Sequence, residues 1–192
     1  MKRYIKHMVC GRCKRVVRDI LEELGIEVLR VELGEVETGE LPATVSMEQI
    51  RRVLADNDFE LLEDRKTVMV EQIKALIVNE VHHDRRERPE HQNLSDFLTR
   101  KIGYDYSYLS HLFSAIEGMT IEKYVIAQKI EKVKEYLLYG ELTLSEIAWR
   151  LGYSSTQHLS NQFKQVVGLT PGDFKRTGLA YRTEIDKVGP PK

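Results

Sequence analysis

Two groups of side chains in this 192-residue chain have types and spacings that could do chemistry. The first is Cys10-Gly11-Arg12-Cys13, two thiols from one short loop. Such a pair suits a soft metal ion such as Cu(I), which accepts few sulfur ligands, and a helix starting at the loop would draw the thiols toward the thiolate. The second is Thr156, Gln157, Ser160, Asn161 and Lys164, small amides and hydroxyls with one cation at helical spacing. Amides match adenine edges and hydroxyls serve donors or acceptors, so this face suits a helix lying in the major groove of double-stranded DNA.

The elements that must hold the second group are legible. Thr143 and Glu146 form a capping box, and Leu144, Ile147, Ala148 and Leu151 recur at helical spacing until Gly152. Ser154 or Ser155 caps a following helix, whose Leu159, Phe163, Val166 and Val167 predict one buried stripe. Helix, glycine turn, helix is a helix-turn-helix pattern, with a plain helical hairpin as the alternative for this segment alone. The segment occurs twice, however. Leu98 stands for Ile147, Ile102 for Leu151 and Gly103-Tyr104 for Gly152-Tyr153. Leu109 then stands for Leu159, Phe113 for Phe163 and Gly118-Met119-Thr120 for Gly168-Leu169-Thr170. Between the copies, residues 121–138 lack Gly and Pro, which predicts a single connecting helix.

With both helix pairs, the connecting stretch and the closing Gly168-Leu169-Thr170-Pro171 with Phe174-Lys175-Arg176, residues from about 90 to 177 resemble the DNA-binding domain of AraC/XylS-type transcription regulators. The resemblance implies an all-α domain that places two recognition helices in successive major-groove segments of an operator, about one helical turn of ~34 Å apart. By position the base-facing residues would be Ser107, Ser110 and His111 in the first copy, and Thr156, Gln157, Ser160 and Asn161 in the second. Lys164, Arg150 and Lys129 would meet backbone phosphates. The chain departs from the family at Ser114-Ala115, where relatives carry basic residues, and residues 93–177 hold ten basic side chains against nine acidic ones. Weak monomeric binding with a modest salt dependence is expected, so a homodimer or an effector would raise occupancy.

The first sixty-five residues predict a small α+β unit in the order strand, helix, strand, strand, helix, strand, the split βαβ order of ferredoxin-like folds. Tyr4 and Ile5 mark the first strand, and Val16, Val17, Ile20, Leu21 and Leu24 a helix ending at Gly25. Residues 26–33 alternate as a strand with one face buried, whereas acidic Gly34 to Leu41 reads as a weak edge. Ser46 opens a second helix carrying Met47, Ile50, Val53 and Leu54, and residues 59–62 return as a strand. With Met8-Val9-Cys10-Gly11-Arg12-Cys13 at the start of its first helix, the unit resembles the heavy-metal-associated domain of copper chaperones and metal-transporting ATPases. That resemblance implies Cys10 and Cys13 as ligands of a soft metal ion, with His7 and Val9 standing where the family carries Gly and Thr.

Other chemistry for the thiols is open at this point. A structural zinc site wants four ligands, and only His7 is near in sequence. A redox pair at a helix start would match thioredoxin, but that family's Trp and Pro are missing around it. A vestigial loop on a docking or dimerising domain is the bland reading.

Residues 67–81 carry Met69, Val70, Ile73, Leu76, Ile77 and Val81, a linker helix with a broad apolar face that packs on its own chain or on a copy. The charge-dense run from His82 to Pro89 predicts the domain boundary, and residues 179–192 a flexible tail. The expected division is therefore 1–65, 66–90, 91–178 and 179–192.

A net charge of −1 and 42% hydrophobic content describe a globular protein. No apolar run spans a bilayer and the amino terminus lacks a signal-peptide core, so a cytoplasmic location without membrane contact is expected. No Ser-His-Asp, paired-carboxylate or phosphate-loop constellation is present. Bifunctional methyl-transfer repair regulators share the layout, but their acceptor chemistry needs four ligating sulfurs and this chain has two cysteines. No catalysis is expected. What remains is a regulator controlled by a soft metal, or one whose amino-terminal domain only dimerises or docks a partner.

Overall fold

In the computed structural model, residues 1–62, 64–82, 88, 92–177 and 185–188 are described. The amino-terminal segment runs β1 (Lys2–Lys6), α1 (Gly11–Glu23), β2 (Val28–Glu32), β3 (Glu35–Thr38), α2 (Met47–Ala55) and β4 (Glu60–Leu62). The helices α3 (Arg65–His82), α4 (Leu94–Ile102), α5 (Tyr106–Glu117), α6 (Ile121–Tyr139), α7 (Leu144–Arg150), α8 (Thr156–Val167) and α9 (Pro171–Thr177) follow.

The four strands form one antiparallel sheet in the order β2-β3-β1-β4. Its inner face contributes Ile5, Val31 and Val36, which pack with Val17, Ile20 and Leu21 of α1 and Ile50 and Leu54 of α2. Each such fully buried aliphatic side chain contributes roughly 1.5–3 kcal/mol. The second helix starts as its cap predicts, because Ser46 Oγ accepts from the Gln49 backbone N–H while Gln49 Oε1 accepts from that of Ser46.

Two strand expectations need correction. The segment read as a weak edge is β3, which pairs on both sides, with β1 and with β2. Val36 and Thr38 point inward and are buried, while Glu35 and Glu37 alternate with them. Nor does residue 26 open a strand. Ile26 is a buried residue before β2, and the register slips between Val28 and Arg30, so Leu29 and Arg30 share one partner position and both face out. An extra residue of this kind breaks the two-residue alternation.

Contacts divide the chain into two compact units, Met1–Leu76 with Arg88–Leu112, and Ile77–Glu87 with Phe113–Lys192. Each has its own buried apolar centre. In the second, Ile130, Val133 and Leu137 of α6 meet Ile147, Leu151, Leu159, Phe163 and Phe174. The apolar face of α3 is covered within the chain, since Val70, Ile73, Ile77 and Val78 are buried. Most of the expected boundary run, including His83, and most of the expected tail lie outside the described residues. Within that tail, Ile185–Lys187 form a 3-10 turn, Val188 is buried, and the Ile185 carbonyl accepts from Gln128 Nε2 at 3.1 Å. No helix among the described residues is long and apolar enough to cross a membrane.

Candidate nucleic-acid interface

The second helix pair, α7 and α8, is locally over-determined. Thr143 caps α7, taking the Glu146 backbone N–H on its hydroxyl at 3.3 Å, while Glu146 Oε2 accepts from the Thr143 N–H at 2.7 Å. These donors hold the Glu146 carboxyl below its ordinary value of 4.5. At the turn Gly152 has φ of 68°, left-handed backbone where a Cβ would be strained, and the Tyr153 N–H returns to the Ala148 carbonyl at 2.8 Å. Ser155 then caps α8 by accepting from the His158 N–H at 3.1 Å. The Tyr153 ring is wedged edge-on against His158, with the Lys129 ammonium 5.2 Å from its centroid. Burial pushes the Tyr153 phenol up to about 12.

With Leu159 and Phe163 fully buried and Phe163 edge-on to Phe174, the rotation of α8 about its axis is fixed. What remains outside is the expected set. Gln157, Asn161 and Lys164 are exposed, and Thr156 and Ser160 are half-buried on the flanks of that face. Gln157 Nε2 donates to Asn161 Oδ1 at 2.8 Å, which joins the two carboxamides into one unit. Arg150 is exposed and Lys129 half-buried. The stripe expectation fails at Val166, which is 50% exposed although it shares the angular sector of Phe163. It lies in the last turn before Gly168, where no described residue covers that sector.

The first pair, α4 and α5, repeats this construction. Asn93 caps α4 by accepting from the Asp96 N–H, Gly103 has φ of 81°, and Leu109 and Phe113 are fully buried. Ser107 and His111 are exposed and Ser110 half-buried, in register with Gln157, Asn161 and Ser160. Tyr108 stacks on Tyr104 at 5.4 Å, as His158 packs on Tyr153, and is 42% exposed. Sequence reasoning missed Tyr108, whose equivalence to His158 was the available signal. Ile116, the counterpart of Val166, is likewise exposed. Lys164 corresponds to Ser114, so the first copy lacks the cation beside its candidate base-facing residues.

The thiol pair occupies the start of α1. Cys10 is the N-cap residue, Cys13 lies in the first turn, both are half-buried, and their sulfurs are 3.1 Å apart. Burial pushes both thiols up, and for Cys10 this is outweighed by hydrogen bonds from Cys13 and from the Arg12 backbone N–H, which bring it below its ordinary value. For Cys13 burial prevails, so its pKa is raised. Met8 is buried in the core of the sheet unit, and His7 is in left-handed backbone with φ of 70°. Among the described residues no group of three His, Cys, Asp or Glu converges. Two sulfurs this close at a helix start could serve a soft ion of low coordination number, whereas a tetrahedral zinc site would need ligands from elsewhere or from a second chain.

Comparison with known proteins agrees with the geometry of the carboxy-terminal half. Residues 98–177 match the family described as "Helix-turn-helix domain". The HTH-type transcriptional regulator YtdP of Bacillus subtilis (strain 168) is 22% identical over 178 residues, 91% of this chain and 21% of that protein. The transposon Tn10 TetD protein of Escherichia coli is 30% identical over 86 residues, 45% of this chain and 62% of that protein. A Streptomyces lividans protein named for its likeness to AraC regulators is 37% identical over 70 residues, 36% of this chain and 23% of that protein. The chain thus spans between about a fifth and about three fifths of the length of these relatives. Residues 98–177 are thus similar to helix-turn-helix domains, that of an AraC-like regulator among them.

Proposed function

We propose that the protein is a sequence-specific transcription regulator of the AraC/XylS type, binding a double-stranded DNA operator in the cytoplasm. In this reading α5 and α8 enter successive major-groove segments, Gln157 and Asn161 read base edges with Thr156 and Ser160 beside them, and Lys164 meets a phosphate. Ser107, Ser110 and His111 make the weaker contacts of the first copy. The observation that supports it is the internal repeat. Two helix pairs carry the same left-handed glycine, the same fully buried Leu and Phe, and the same outward polar positions. Selection of bound duplexes from random DNA by the full chain tests it. A shared sequence motif is the expected result, and recovery of unenriched DNA would overturn it.

A further part of the proposal concerns control. The order βαββαβ with strand order β2-β3-β1-β4 supports a ferredoxin-like amino-terminal domain of the heavy-metal-associated kind. The close sulfurs of Cys10 and Cys13 at a helix start support soft-metal binding there, with Cu(I) as the best chemical match. The metal would then bias how the two helix pairs engage the operator, alone or in a homodimer. A domain that only dimerises or docks a partner is the alternative, and loss of Cu(I) binding would favour it.

A further inference from the structure

The turns of the two helix pairs are braced in the same way but from different places. In the second pair the Lys129 ammonium lies 5.2 Å from the centroid of the Tyr153 ring, which packs edge-on against His158 in the first turn of α8. In the first pair the Arg65 guanidinium lies 5.9 Å from the centroid of the Tyr104 ring and donates to its hydroxyl at 2.8 Å. That ring stacks at 5.4 Å on Tyr108 in the first turn of α5. Each brace is thus a cation held over the tyrosine that follows the left-handed glycine, Gly103 or Gly152, and that tyrosine rests on the third residue of the next helix.

The two cations come from different parts of the chain. Lys129 belongs to α6 and to the compact unit that holds Tyr153 and His158. Arg65 is the first residue of α3 and belongs to the unit that joins the sheet to Tyr104 and Tyr108. The backbone on either side of Arg65 is fixed by that unit. Strand β4, which ends at Leu62, pairs with β1, and the Asp64 carboxylate accepts from the Thr67 N–H and from its hydroxyl, each at 2.9 Å. Val68 and Met69, one turn into α3, are buried. A cation over a ring and a charge-assisted hydrogen bond to its hydroxyl both restrict that ring.

We infer that Arg65 is a positioning residue through which the amino-terminal sheet unit sets the first recognition helix, whereas the second is braced from within the helical unit. A shift at the end of β4 or the start of α3 passes through Arg65 to Tyr104, and from Tyr104 to Tyr108. Control by the amino-terminal domain therefore falls on one recognition helix and not on both. The consequence for DNA rests on the DNA-binding reading, whereas the brace itself does not.

Hydrogen exchange of the full chain without DNA tests the brace. Arg65→Gln, at an exposed position, should speed exchange in peptides covering residues 103–110 by about threefold or more, roughly the factor one such hydrogen bond contributes to local opening. Peptides covering residues 152–159 should be unchanged. Tyr104→Phe keeps the ring on Tyr108 but loses the hydroxyl, and should speed the same peptides. Because the two groups act through each other, the double variant should exchange more slowly than the product of the two single effects requires. On a selected duplex, Arg65→Gln should weaken protection only in the block assigned to α5. Unchanged exchange at residues 103–110, equal acceleration in both turns, or a double variant that reaches the full product would each overturn the inference. So would a footprint whose α5 block is unchanged or whose two blocks fade equally. Selection that returns no motif would instead overturn the DNA-binding reading, and the exchange result would still decide the brace.

Discussion

Replacing Gln157 or Asn161 by alanine separates base reading from folding. Both side chains are exposed on α8, one helical turn apart, and a 2.8 Å hydrogen bond joins them. Such an amide pair supports the helix by only about 0.2–0.5 kcal/mol, and alanine's higher helix propensity recovers part of it. The urea midpoint of either variant should therefore stay close to that of the parent. On DNA the loss should be larger, because an amide seated bidentate on adenine is worth about 1–3 kcal/mol, or about 5- to 150-fold in affinity. The joined carboxamides add a further expectation. Either substitution leaves the other amide without its intrahelical partner, so the double variant should lose less than the sum of the two single losses, by about 0.5 kcal/mol or more. Fluorescence anisotropy with a selected duplex and a scrambled one measures both effects. Lys164→Ala should weaken binding to both duplexes and lower the salt slope by about 1. Equal losses on both duplexes for Gln157→Ala, or strict additivity in the double variant, would refute direct reading by this amide unit.

Four other outcomes are expected. Ser114→Lys places a cation where the second copy has Lys164, and should raise affinity for any duplex and steepen the salt slope by about 1, checked by anisotropy at several salt concentrations. Thr143→Ala removes the α7 cap and should cost about 1 kcal/mol in urea unfolding. Because the Glu146 carboxyl is held below 4.5 when folded, its stabilising contribution is complete above that value and is lost as the pH falls through the depressed one. Glu146→Gln should therefore flatten the drop in stability as the pH falls below the ordinary carboxyl value of 4.5. Anaerobic titration of the reduced protein with Cu(I) against a chelator should show about one equivalent bound, lost in Cys10→Ser and in Cys13→Ser. Binding that survives both substitutions would remove the thiol site.

Much of the candidate interface was legible because its determinants are local. A cap residue, a glycine forced to positive φ, and Leu and Phe four residues apart specify a helix pair from a few neighbouring positions, and the repetition of that set ruled out coincidence. Features that depended on distant partners were not legible. Glu35-Val36-Glu37-Thr38 carries one strongly apolar side chain, yet becomes a central strand because β1 and β2 pair with it and Thr38 accepts from buried Arg3. Val166 and Ile116 lie at the angles of the buried stripe, but periodicity gives a direction and not a covering partner, and each lies in the final turn of its helix. Trp149, 82% exposed on α7, carried no periodic signal at all.

Hydroxyl-radical footprinting of the full chain on a duplex recovered by selection bears on the whole reading. Two protected blocks on one face of the DNA, about 10 base pairs apart, are expected, with the block assigned to α5 the shallower and deepened by Ser114→Lys. A single block, or even protection along the duplex that ignores sequence, would contradict the assignment of α5 and α8 as paired recognition helices.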